Sequence, residues 1–236
     1  MSANPNHYCM CPTPADLPAE DKARLSSHKA ALLKSAKWNP GSVITVRFLE
    51  GDPALQARVK AVALEWTGPK MANLTLDFRK AGPTDIRIAF QQGNGSWSFL
   101  GTMCRQVNPE SRPTMNYGWL TPGSPDSELR RVVLHEFGHA LGLIHEHQNP
   151  KGGIPWNKDA VRRDLSGPPN NWNDATIENN MFRFYPPTDL VATDVDALSI
   201  MMYPIPAAWT TNGFSAGLNA ELSDTDKALI RSVYPQ

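Results

Sequence analysis

Residues 135–145 read His135-Glu136-Phe137-Gly138-His139-Ala140-Leu141-Gly142-Leu143-Ile144-His145. His135 and His139 stand four residues apart, about one helical turn, so on a helix both imidazoles leave the same face and converge on one point. Glu136 projects beside that point, where it can hold a water instead of a metal. A third ligand cannot come from the same straight helix. Gly142 permits the left-handed turn that stops it, and His145 returns to the ion six residues after His139. Three neutral histidines leave one coordination position for water, which marks a catalytic zinc site and not a closed structural one. Glu136 is then placed to take a proton from the attacking water and pass it to a leaving amine. A helix with incidental histidines is a poor account, because four of the six histidines in the chain fall within residues 135–147. His147 also follows Gly142, but the spacing selects His145.

Working outward, Ser124 is expected to cap the helix, with Pro125 in its first position and Asp126 and Glu128 complementing its positive end. Upstream, Ile44, Val46 and Phe48 alternate on one strand face. Leu55, Val59, Val62 and Trp66 recur at helical spacing after Asp52-Pro53. Leu74, Leu76 and Phe78 alternate again, as do Ile86, Ile88 and Phe90, and two short strands are expected near Trp97–Met103 and Thr114–Leu120. This layout predicts a mixed sheet with a helix packed on it. Residues 1–37 read as a leader, with a helix from about Pro18 to Lys37, and 38–236 as the catalytic domain, its upper half ending near residue 147. Downstream lie some seventy residues with little periodicity, then a short helix opened by Ser223 and Asp226, with Leu229, Ile230, Val233 and Tyr234 on one face.

The second signature is Ser199-Ile200-Met201-Met202-Tyr203. Met201 beneath the metal forms a soft apolar floor for the imidazoles, and Tyr203 is positioned to bring its phenol to the metal or to an oxyanion.

The long histidine motif together with this second stretch resembles the metzincin clan, and within it the astacin-like metallopeptidases; Glu146, directly after the third histidine, fits as well. The resemblance runs from about Trp38 to the C-terminus. It implies an α+β, zincin-like fold: a mixed twisted sheet, a backing helix and an active-site helix above a loop-rich C-terminal half, with a cleft between. It implies one catalytic Zn²⁺ on His135, His139 and His145, with Glu136 and Tyr203 catalytic, and hydrolysis of extended polypeptides lying against an edge strand, for which Trp97-Ser98-Phe99-Leu100-Gly101 is the candidate. In the family the tyrosine is a displaceable ligand that swings to the oxyanion. His147-Gln148-Asn149-Pro150 departs from the animal astacin pattern and the four-cysteine set is absent, which is closer to microbial and fungal relatives. A secreted enzyme is favoured by this resemblance, although no signal peptide is visible at the start.

Cys9-Met10-Cys11-Pro12 has three readings: a leader thiolate that keeps the enzyme latent, a bridge to Cys104, or no special role. Phe48-Leu49-Glu50-Gly51-Asp52 reads as a turn leading a helix. Asp189, Asp194 and Asp196 are a loop cluster, solvated or touching calcium. Trp156, Trp172 and Trp209 are read as packing, with Trp209 open to lining the cleft. Lys plus Arg equals Asp plus Glu at 23 each, so no net field draws nucleic acid or an acidic membrane. No apolar run reaches the ~18–20 residues that span a bilayer, and a monomer is expected. A different class remains: a non-enzymatic or permanently capped zinc module that presents its cleft to a partner peptide. Glu136 discriminates, since binding zinc does not need it and hydrolysis does.

Overall fold

In the computed structural model the described residues are 7–9, 36–149, 153–183 and 194–236. The expected helix from about Pro18, Cys11 and Asp189 lie outside them.

Five strands, β1 (Val43–Phe48), β2 (Thr75–Phe78), β3 (Ile86–Ala89), β4 (Ser96–Ser98) and β5 (Met115–Tyr117), form one sheet in the order β2-β1-β3-β5-β4. All neighbours are parallel except β4, which runs antiparallel to β5 at the edge. The alternation in β1 holds: Ile44 and Val46 are fully buried, with Val46 opposite Phe78 on one side and Ile86 on the other.

Helix α1 (Pro53–Ala63) starts where Asp52 accepts from the N–H groups of Ala54 and Leu55, the helix-leading turn expected of Phe48–Asp52. It buries Leu55, Val59 and Val62, and the following turn brings in Trp66, whose indole donates to the Leu134 carbonyl at 3.0 Å. That bond lands on α2 (Asp126–Ala140), the helix of the histidine motif. Its start differs from expectation. Pro125 is the residue before the helix, and Ser124 Oγ accepts from Thr121 N at 2.9 Å, closing the preceding turn instead of capping α2. Arg58 of α1 supplies the tie instead, donating to Ser124 O and Asp126 Oδ1, each at 2.7 Å.

The edge strand is shorter than expected. Phe99 N still donates to Thr114 O, but Gly101–Gln106 is a 3-10 helix. Gly101 sits at φ +44°, and a Cβ there would lie 1.8 Å from the Ala36 carbonyl oxygen. The segment entering from residue 36 crosses the sheet edge at this point and ends the strand.

The C-terminal half contributes α3 (Lys158–Leu165), the single turn α4 (Asp174–Ile177) and α5 (Asp224–Val233), the last opened by a Ser223–Asp226 capping box. The buried far end of α2 has its last carbonyls satisfied from distant segments: Trp38 Nε1 donates to Ala140 O at 2.8 Å and Tyr234 Oη to Leu141 O at 2.6 Å. Among the described residues no helix is long and apolar enough to cross a membrane.

Candidate active site

Helix α2 is buried along nearly its whole second half, so its histidines meet inside the protein and not on a surface face. Leu141 ends the helix and Gly142, at φ +96°, turns the chain back. The turn does more than redirect: the Leu143 carbonyl accepts Nδ1–H of His139 at 2.8 Å. His135 Nδ1 donates to Ile200 O at 2.8 Å, and His145 Nδ1 to Gln148 Oε1 at 3.1 Å. Three Nδ1 groups facing oxygen acceptors fix three Nε2 lone pairs toward a common centre.

Candidate ligand atoms of His135, His139 and His145 lie within 4.8 Å of one another. The Nε2 atoms of His139 and His145 are 3.0 Å apart, and His135 Nε2, though buried, has no partner. Burial depresses the pKa of all three, that of His139 to about 4, so the rings are neutral. Two neutral lone pairs at that separation repel unless a cation lies between them. Three neutral imidazole donors suit one zinc ion. His147 does not join them: its Nε2 bonds the Asn180 carbonyl at 2.7 Å.

Glu136 is fully buried, and among the described residues no nitrogen or oxygen donor bonds its carboxylate; the Cys9 thiol beside it is its one hydrogen-bonding neighbour. Burial raises its pKa well above the usual carboxylate range. A buried carboxylate with only a thiol for a partner is costly, and here it stands beside the metal centre on the same helix.

Met201 packs on the histidine helix at Gly138. Its Sδ occupies the space over Gly138, where a Cβ would be only 2.3 Å away. The Met201 carbonyl accepts Glu146 N at 2.9 Å, tying this turn to the third ligand's segment. Tyr203 is buried with its ring 4.3 Å from that of His145, and its hydroxyl donates to the Cys9 carbonyl.

Residues 7–9 therefore lie across the site. His7 stacks on Trp119 at 4.6 Å, and the buried Cys9 sits next to Glu136, whose charge adds to burial in raising the thiol pKa. Cys9 and Cys104 are both free, so the bridge between them does not form. The pairs Arg131–Glu128 and Arg131–His7 O brace this segment from α2. A cleft of about 370 Å³ continues from it between Gly93–Gly95 and Trp119 on the sheet side and Asn170–Asn173 below. β4 forms the sheet edge and packs on α2, with Trp97 partly buried and Ser98, Phe99, Leu100 and Gly101 buried. Asp196 accepts from Leu198 N at 2.8 Å, a local turn.

Two supporting residues have no counterpart in the motif reading. Gln148 orients His145 and is itself held by the Asn179 carbonyl at 2.6 Å. Asp226, legible only as part of a helix cap, also accepts from Ser199 Oγ at 2.6 Å and Ile200 N at 2.8 Å.

The chain is 46% identical to myroilysin, over 86% of its own length and 98% of that structure, with a TM-score of 0.83. It belongs to the astacin-like metzincin zinc peptidases. A second myroilysin structure matches at 41% identity over 100% of this chain and 94% of that one, TM-score 0.70. High choriolytic enzyme 1, a hatching-enzyme zinc-protease from the medaka fish Oryzias latipes, shares the fold at 19% identity and a TM-score of 0.52, covering 85% of this chain and 95% of that one. The zinc metalloproteinase nas-38 of Caenorhabditis elegans is 28% identical over 115 residues, 48% of this chain. The chain spans only 14% of the length of nas-38. No family model matches the chain. The metzincin assignment accounts for the paired signatures at 135–145 and 199–203, and the enzyme's cofactor is one catalytic zinc ion on the three histidines.

Proposed function

We propose that this enzyme is a monomeric endopeptidase cutting extended polypeptides, and that residues 1–37 are a leader whose residues 7–9 cover the catalytic site until displaced. The observation that carries the first part is the fully buried Glu136, with only the Cys9 thiol bonded to it, beside three converging Nε2 atoms. Zinc bound there supplies a Lewis acid and a water acidified to a pKa near about 7. Glu136 takes a proton at its carboxylate from the attacking water and delivers it to the leaving nitrogen. His135, His139 and His145 are locked in one tautomer by Ile200, Leu143 and Gln148. Tyr203 Oη donates to the Cys9 carbonyl in the covered form, and that bond supports a role as donor to the carbonyl oxygen of a substrate once residues 7–9 leave. The outer side of β4, the last strand of the sheet among the described residues, is proposed to align the substrate within Trp97–Gly101 by strand addition once it is uncovered.

The leader reading rests on the position of residues 7–9, which bury Cys9 against the base and leave no approach to it. Action outside the cell is proposed on the family resemblance. A capped, non-enzymatic zinc module is the weaker account, because it gives Glu136 nothing to do.

The test is cleavage of an unfolded protein by zinc-loaded chain, intact and after limited proteolysis, with Glu136→Ala in parallel. Cleavage that increases on proteolysis and disappears in Glu136→Ala, with zinc content unchanged, is expected. Zinc-loaded chain that cuts in neither form overturns the peptidase reading.

A further inference from the structure

We infer that the aromatic box now filled by Tyr8 is the enzyme's specificity pocket, and that it selects tyrosine, then phenylalanine, one residue removed from the scissile bond. The inference rests on the proposal that the chain is an endopeptidase covered by its leader.

Tyr8 is 2% exposed. Its ring stacks on Trp209 at 5.4 Å and meets the edges of Tyr203 at 5.4 Å and Trp172 at 6.2 Å. Its hydroxyl donates to the Pro204 carbonyl at 3.0 Å. The void beside it, lined by His135, Tyr203 and Pro204 among others, is about 10 Å³, no more than one water needs. The box is thus shaped to a phenol.

The main chain around Tyr8 is held by groups that do not depend on its side chain. Tyr8 N donates to Asn170 Oδ1 at 3.1 Å, and the Cys9 carbonyl accepts from Tyr203. Any polypeptide laid along the same path finds both. Tyr203 is the shared wall: one of its contacts is the Tyr8 ring, another the His145 ring at 4.3 Å. A side chain in the box therefore sits one residue from the peptide group presented to the metal centre.

The polar chemistry of the box narrows the choice. The indole N–H of Trp209 is taken by Asp164 Oδ2 at 2.7 Å, so it is not offered to a guest. The Pro204 carbonyl remains as an acceptor. A tyrosine hydroxyl satisfies it, a phenylalanine leaves it buried without a partner, and a carboxylate is repelled. Aromatic walls discriminate further against small aliphatic side chains.

Two measurements on the zinc-loaded full chain test this. The first uses Tyr8→Ala and the probe p-cresol, which restores the missing phenol. A dose-dependent rise in melting temperature in Tyr8→Ala, absent in the wild type and smaller with toluene, is expected; no rise beyond the wild type overturns the pocket. If Tyr8→Ala does not fold, Tyr8→Leu keeps the box apolar and serves for the second measurement. That is a mass-spectrometric map of cuts in an unfolded protein by Tyr8→Ala/Cys9→Ser. Tyrosine enriched about tenfold at one fixed position, phenylalanine less, acidic residues depleted and the preference weakened by Trp172→Ala are expected. Cleavage without aromatic preference overturns the pocket and leaves the peptidase standing. No cleavage at all, with p-cresol still bound, overturns the peptidase reading and the specificity with it.

Discussion

Asp226 and His135 are joined through a single residue. Ile200 donates its N–H to Asp226 Oδ2 at 2.8 Å, and its carbonyl accepts Nδ1–H of His135 at 2.8 Å. Ser199 Oγ donates to the same carboxylate and accepts from Met201 N at 3.0 Å. One buried carboxylate on α5 thus sets the turn that carries Met201 and the orientation of the first zinc ligand. Asp226→Ala leaves the Ile200 N–H and the Ser199 hydroxyl without their acceptor, at about 2–4 kcal/mol. For a chain of this size the melting temperature falls by roughly 4–16 °C. Because a ligand's outer partner loosens, zinc affinity falls about 10-fold or more, read by competition with a chromogenic chelator.

Gly138 decides a second relationship. A helix interior ordinarily gains up to about 1 kcal/mol from Gly→Ala. Here the added Cβ would meet Met201 Sδ at 2.3 Å and Trp66 Cζ2 at 3.4 Å. Overpacking of a buried contact costs about 1–3 kcal/mol, so Gly138→Ala is expected to be net destabilising by about 1–2 kcal/mol, measured by urea unfolding. A neutral or stabilised variant would show that Met201 has room to retreat.

These cases show why some of the site was readable and some was not. His135, Glu136 and His139 are related by one helical turn, so their geometry follows from local spacing. Gly142 and His145 extend it by one turn of chain. Gln148 could not be picked out, because its role depends on the Asn179 carbonyl in a segment with no periodicity. Asp226 was legible as a cap, but its second set of donors lies 26 and 27 residues away. Tyr8 was unreadable for the same reason: nothing near it in sequence signals a box built from residues 172, 203, 204 and 209.

Arg87 is the clearest departure in the sheet. Alternation of Ile86, Ile88 and Phe90 implies that Arg87 points to water, yet it is 1% exposed. Its guanidinium donates to the carbonyls of Arg112, Thr84 and Val107 at 2.7, 2.9 and 2.7 Å, with Glu110 at 3.5 Å. The loop after Gln106 folds over β3 to supply two of those carbonyls, Val107 and Arg112. Arg87→Met keeps the stem but strands three carbonyls, and a loss of about 2–4 kcal/mol is expected, with protease sensitivity appearing first in residues 105–113.

Asp85 gives a pH signature. Burial pushes its pKa up, but bonds from Thr45 N, Thr45 Oγ1 and Arg105 Nε, at 2.9, 2.9 and 2.7 Å, outweigh burial and leave it lowered. A carboxylate lowered in the folded state contributes stability above its unfolded pKa and loses it as pH falls through the folded pKa. Asp85→Asn is therefore expected to cost about 1 kcal/mol at pH 7. The difference from the wild type should shrink steadily below about pH 4. A gap that stays constant down to pH 3 would mean the loss comes from geometry and not from charge.

Tyr203 carries two duties that one substitution separates. In the covered form its hydroxyl donates to the Cys9 carbonyl, so Tyr203→Phe loosens residues 7–9; in the uncovered enzyme the same hydroxyl is proposed to donate to the substrate oxygen. Cys9 and Cys104 are both buried with thiol pKa raised by burial, that of Cys104 to about 12. Iodoacetamide at pH 8 is therefore expected to label neither in the wild type, since the thiolate is the nucleophile. In Tyr203→Phe, Cys9 should become labelled while Cys104, buried beside Asp85, Arg87 and Arg105, stays silent and serves as the internal control for unfolding. After leader removal the same variant should lose about 10²–10³ in kcat with KM little changed, as for removal of one oxyanion donor. Labelling of both thiols together would mean global opening. Labelling of Cys9 with turnover unaffected would confine Tyr203 to holding the leader and assign the oxyanion to another group.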